Sequence, residues 1–234
     1  MTGTLINVAA ILLGGGLGVA MGDRFPEKVQ KTVMSGLGLF CLLLGAMNFL
    51  DSENVLLVLF ALLSGMLLGE WWKIEEGLEW IGARLQKMFV KNGSTETTAR
   101  FIEGFVVASL LFCVGPMAIM GSIQDGLTGD FTTLFVKSIM DAFAAMAFAS
   151  TLGIGVLFSS LAVFLYQGTL TLLAGQAQKI ITDAMMAELN AVGGVLLAGI
   201  AVSSLLSLKK IRMGSFLPAL FMAPLFVWIL ALFP

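Results

Sequence analysis

The sequence predicts an all-α, polytopic integral membrane protein with about eight transmembrane helices and an interfacial amphipathic helix. Three observations predict it. Of 234 residues, 58% are hydrophobic and only 12% are charged, and the mean hydropathy is +0.98. An ordinary soluble domain carries about 25% charged residues, so a soluble fold could not cover this much apolar surface, whereas a bilayer acts as its solvent. Apolar stretches of about 20 residues, long enough to cross a hydrocarbon core, recur along the whole chain. The 27 glycines suit helices that pack in lipid.

The same composition excludes several functions. Net charge is −2 with dispersed basic residues, which leaves nucleic acid without an electrostatic footprint. There is no histidine, so imidazole metal sites and histidine proton relays are ruled out. Cys41 and Cys113 each sit in an apolar stretch and read as buried small hydrophobes rather than a disulfide or metal pair. No cofactor or metal is expected. The start, MTGTLINVAAILLGGG, lacks the basic region of a cleavable signal and reads as a retained first span.

Eight spans are expected in order: 4–21, 32–50, 54–70, 101–121, 131–149, 152–174, 190–207 and 214–233. The stretch from Ala142 to Gln178 carries no charge, and is either one long helix or the end of one span and all of the next. Loop charge decides. Lysine and arginine collect on the cytoplasmic side, and three segments hold most of them: Arg24, Lys28 and Lys31; Lys73, Arg84, Lys87, Lys91 and Arg100; Lys209, Lys210 and Arg212. Eight spans with both termini outside place all three inside; seven spans do not. Residues 71–90 put Ile74, Leu78, Ile81, Leu85 and Met88 on one stripe with Trp71, Trp72 and Trp80 at headgroup level, a helix lying in the cytoplasmic interface. Residues 176–189 show a weaker version on the outer face. The hydrophilic stretch 91–99 divides the single domain, 1–234, into three spans plus the amphipathic helix and then five spans.

Small residues recur every four positions at Gly14, Gly18 and Gly22, at Ala61, Gly65 and Gly69, at Gly194 and Ala198, and at Gly199 and Ser203. This spacing lets backbones approach closely, within the chain or in a homo-oligomer. ILLGGGLGV (11–19) and VLLAGIAVS (195–203) align, but Gly/Leu-rich matches of this length arise by chance and leave a repeat open.

Asp141 is the most informative residue. It lies about 15 Å from the outer end of the fifth span, where a carboxylate costs about 2.5–3.5 kcal/mol and must face protein or water. Lys137, one turn outward on the same face, makes a self-neutralising packing pair one reading; an ion, proton or solute site is the other. In the fourth span, Pro116 after Gly115 removes a donor and clashes one turn back, which breaks or kinks the helix near 113–116. Broken membrane helices free carbonyls and amides for midplane sites. Asn7, Asn48, Ser122, Gln124, Asp125, Gln167 and Glu188 are the polar residues able to converge there. No nucleophile–base pair, phosphate loop or metal cluster is present, so no enzyme is expected.

With GTLINVAAILLGGGLG, FCVGPMAIMGSIQDGL, SIMDAFAAMAFASTLGIGVLFSS, FLYQG and ELNAVGGVLLAGI in view, the chain resembles a bacterial membrane family of unknown function, domain of unknown function 554 of the YqgA/YdfK type. The resemblance covers nearly the whole chain and implies a polytopic fold in the bacterial cytoplasmic membrane. Its recurring elements fall on Asn7, Gly115, Pro116, Gln124, Asp125, Asp141, Gln167, Glu188, Gly193 and Gly194. The expected function is a small-solute or ion transporter or channel with its site near the broken fourth span and Asp141 as charge centre. The alternative is a non-transporting scaffold or partner-binding protein whose polar residues only fix helix packing.

Overall fold

Local sequence sets several helix ends: Asn54 caps the helix beginning at Val55 by accepting the Leu57 amide (3.3 Å), and Gly153 closes the one ending at Leu152. In the computed structural model, residues 1–22, 26–89 and 95–232 are described. They form α1 (Thr2–Gly22), α2 (Glu27–Leu50), α3 (Val55–Trp71), α4 (Ile74–Phe89), α5 (Thr95–Cys113), α6 (Pro116–Thr128), α7 (Thr132–Leu152), α8 (Gly155–Leu172), α9 (Ala174–Ile180), α10 (Asp183–Ile200) and α11 (Ala219–Ala231). A π turn, Ala201–Leu205, continues α10, and a 3₁₀ turn, Met213–Phe216, precedes α11. Arg24 and residues 91–94 of the hydrophilic stretch lie outside the described residues; the rest of that stretch opens α5.

Among the described residues, six helical segments are each long and apolar enough to cross a bilayer, and the number reaches eight when each of two bent pairs counts as one crossing. One pair is α3 with α4, bent by 56° at Trp72–Lys73, where Lys73 adopts a positive φ of 53°. The second segment of that pair is the amphipathic helix expected over 71–90. The other pair is α5 with α6, bent by 61° at the break expected near Pro116. The uncharged stretch 142–178 resolves into α7 and α8, parted at Gly153, whose φ of 78° favours glycine. The seventh span corrects the expectation. Thr182 caps α10 by accepting the Met185 amide (3.2 Å), so 183–189 belongs to the spanning helix and not to an interfacial one.

Contacts gather the helices into two compact units, the first Met1–Gly36, Glu79–Cys113 and Met117–Ala177, the second Leu37–Leu78, Val114–Pro116 and Gln178–Pro234. In the first, α1 lies along α7 in the same direction. A Cβ at Gly14, Gly18 or Gly22 would collide with the backbone carbonyl of Ala142, Met146 or Ser150 in turn. Two four-residue ladders therefore interlock, backbone on backbone. α8 runs antiparallel to α1, as Thr4 opposite Thr171 and Asn7 opposite Gln167 show.

In the second unit, Gly65 and Gly69 of α3 abut Ala219 and Ser215, and Gly45 of α2 abuts Gly194 of α10. Both pairings are antiparallel. Within each unit, these helix directions are those that eight alternating crossings require. The glycine stripes are thus occupied inside the chain. Of the two segments aligned as a repeat, 11–19 is regular α-helix against Leu157, whereas 195–203 enters the π turn with Gly199 against Met213.

Candidate functional site

Four polar side chains meet inside the first unit, among predominantly apolar helices. Asn7 of α1 and Gln167 of α8 are fully buried, and Lys137 and Asp141 of α7 are each 7% exposed. Glycine makes this possible: because Gly14 and Gly18 bring α1 onto the α7 backbone, the short Asn7 side chain reaches across to α7. Asn7 Nδ2 donates to Asp141 Oδ2 (3.0 Å) and lies 3.4 Å from Gln167 Oε1. The Lys137 ammonium is bonded to the same carboxylate oxygen of Asp141. It also stands 5.9 Å from the centre of the Phe112 ring, one residue before the end of α5.

The orientations follow from chemistry. A carboxylate only accepts, so Asn7 must turn its amide nitrogen to Asp141, which sends its oxygen elsewhere. That nitrogen then meets the oxygen of Gln167, which leaves the Gln167 nitrogen turned away. As a result Asn7 Oδ1 and Gln167 Nε2 are buried with no hydrogen-bond partner among the described residues. One turn nearer the start of α1, Thr4 and Thr171 pair their hydroxyls at 3.4 Å. Thr171 gives its proton to the Gln167 carbonyl (2.8 Å), so Thr4 donates within the pair. Beyond it, Asp125 of α6 accepts from the Gly3 amide (3.0 Å) and the Met1 amino group (2.9 Å). Acidic groups favour this end of a helix, where amides have no intrahelical partner. Polar pairs thus run from the start of α1 to Asp141.

Of the residues expected at a site, Asn7, Asp141 and Gln167 come together and Asp125 touches the same helix one turn away. Gln124 is exposed and accepts from the Thr133 hydroxyl (2.8 Å). Gly115, with a φ of 153°, and Pro116, the first residue of α6, form the break that follows Phe112 and Cys113. Glu188 is 2% exposed and belongs to the second unit. There it accepts from the Ser52 hydroxyl (2.8 Å) and the Glu53 and Asn54 amides (3.0 and 2.7 Å), closing the start of α3. Its neighbour Asn190 donates to Asp51 (2.5 Å).

The sequence profile of the family described as "Protein of unknown function (DUF554)" matches residues 2–228. The chain belongs to the DUF554 family. It is 34% identical over 221 residues to "Uncharacterized protein YqgA" of Escherichia coli (strain K12), with 94% of each chain covered. It is 28% identical over 237 residues to "Uncharacterized membrane protein YdfK" of Bacillus subtilis (strain 168), covering 100% of this chain and 98% of the relative. No solved structure matches. The expectation of an all-α polytopic membrane protein holds for this DUF554 chain.

Lys137, Phe112, Thr4 and Thr171 complete the cluster and were not among the expected site residues. Three of them carried a sequence signal, Lys137 by lying one turn before Asp141 on the same helix face. Thr4 lies three residues before Asn7 and Thr171 four after Gln167, so each extends a polar face of its own helix. Phe112 carried none in a chain with 18 phenylalanines.

Proposed function

We propose that this DUF554 protein moves a small solute or ion across the bacterial cytoplasmic membrane, as carrier or channel. The site is the Asn7–Lys137–Asp141–Gln167 cluster near the bilayer midplane, with the Phe112 ring of α5 against its lysine. Both termini face outside on this reading, the partners are the bilayer and the solute, and no catalytic role is assigned. One observation carries it. Asn7 Oδ1 and Gln167 Nε2 are an acceptor and a donor, both buried in a spanning bundle with no partner among the described residues. An unsatisfied buried polar group costs about 1–3 kcal/mol, and no packing need requires two of them beside an ion pair.

The scaffold reading has its own support in the closed Lys137–Asp141 pair, which leaves neither charge alone. It expects nothing of the two unpartnered amides. A thermal-shift screen of purified protein against ions and small polar metabolites separates the two, because binding to the folded state raises its melting temperature. We expect at least one compound to raise it in the wild type and to do nothing in Gln167→Leu. A panel without effect, or a shift that survives in Gln167→Leu, contradicts the transport reading.

A further inference from the structure

We propose that the solute taken by this cluster is uncharged and presents a hydrogen-bond acceptor beside a donor, as a primary amide or urea does. This rests on the transport reading of the same site. The argument begins with charge. The Lys137 ammonium and the Asp141 carboxylate are bonded to each other, so the four side chains sum to zero. A cation entering here finds its natural carboxylate already held by an ammonium, and an anion finds that ammonium already neutralised. Either would bring an uncompensated charge into a buried site, which costs several kcal/mol.

What the cluster lacks is hydrogen bonds. Asn7 Oδ1 requires a donor and Gln167 Nε2 requires an acceptor. Each orphan is the second polar atom of a carboxamide whose first atom makes the 3.4 Å Asn7–Gln167 contact, so the two flank that contact. A carbonyl next to an N–H₂ supplies the complement of each. Its oxygen accepts from Gln167 Nε2, its nitrogen donates to Asn7 Oδ1, and the ion pair is left intact. Recognition by buried polar groups is selective, since a solute lacking either function leaves one of them unpaired.

The test uses the full chain in liposomes. Stopped-flow light scattering follows entry of urea and acetamide, and ion-selective dyes follow Na⁺, K⁺ and Cl⁻. The expected result is amide entry faster than in protein-free vesicles, ion flux at the protein-free level, and a loss of about tenfold in protein-dependent amide entry in Gln167→Leu, the consequence of one lost buried hydrogen bond. Asn7→Leu gives the same reading if Gln167→Leu does not insert. Flux of Na⁺, K⁺ or Cl⁻ that these variants abolish, with or without amide flux, overturns the uncharged solute while the transport reading stands. If no probe crosses faster than in protein-free vesicles, or the variants leave the fluxes unchanged, the transport reading fails and this inference with it.

Discussion

Asp141 holds an ammonium and an amide on one carboxylate oxygen, and these two partners separate its roles. Asp141→Asn leaves Lys137 charged inside the bundle with no counter-charge, and stability should fall by about 3 kcal/mol. Adding Lys137→Met removes that charge and should restore most of the loss, a coupling that unfolding of the two single variants and the double variant measures. Restored stability together with restored solute binding would assign the pair to packing; restored stability without binding assigns it to the site. The i,i+4 spacing and the depth in an apolar helix made this pair legible in the sequence. Asn7 and Gln167 were legible only as polar residues in apolar spans, because their meeting depends on two helix contacts far apart in the chain. The partners of Glu188 were hidden for the same reason: they lie at 52–54 in another loop, and nothing local points to them.

Helices were easier to read than contacts, because span length, caps and breakers are local. The broken fourth span, the amphipathic helix and the division of 142–178 follow from Gly115–Pro116, from period and from the charge of the loops. The start of α10 did not, since the Asp183 and Glu188 charges resembled an interface until Thr182 and the loop at 52–54 supplied partners. Glycine stripes specify close approach without naming the neighbour; the structure names α7. Gly18→Leu drives a side chain into the Met146 carbonyl and should cost at least ~3 kcal/mol or prevent assembly of the bundle. Gly16→Leu, two positions away with open space before it, should leave melting and yield near wild type. Equal effects in thermal melts would remove the α1–α7 ladder as the organising contact.

Asp130 supplies a pH-dependent element before α7. Hydrogen bonds from the Thr132 hydroxyl (2.6 Å) and amide (3.0 Å) hold its carboxyl below the ordinary carboxylate range. Its contribution is therefore present above the unfolded carboxyl's pKa and is lost as pH falls through the lower folded value. Melting curves from pH 6 downward should converge between wild type and Asp130→Ala, and a constant gap would contradict this.

At the scale of the molecule, the helix directions within each unit agree with eight alternating crossings, and the order of basic loops predicts which side is which. A single cysteine at Ser52, in a background lacking Cys41 and Cys113, should react in whole cells with an impermeant thiol reagent. Protection of that position until the cells are opened would reverse the orientation. The central claim is that a solute reaches the polar cluster inside the first unit, and accessibility tests it most directly. In the same background, Gln167→Cys and Val163→Cys occupy neighbouring turns of α8, both wild-type side chains being fully buried. Rates of modification by a small methanethiosulfonate reagent should differ, with Gln167→Cys reacting and Val163→Cys inert. Equal inertness at both positions would make the cluster a sealed packing core and contradict the account.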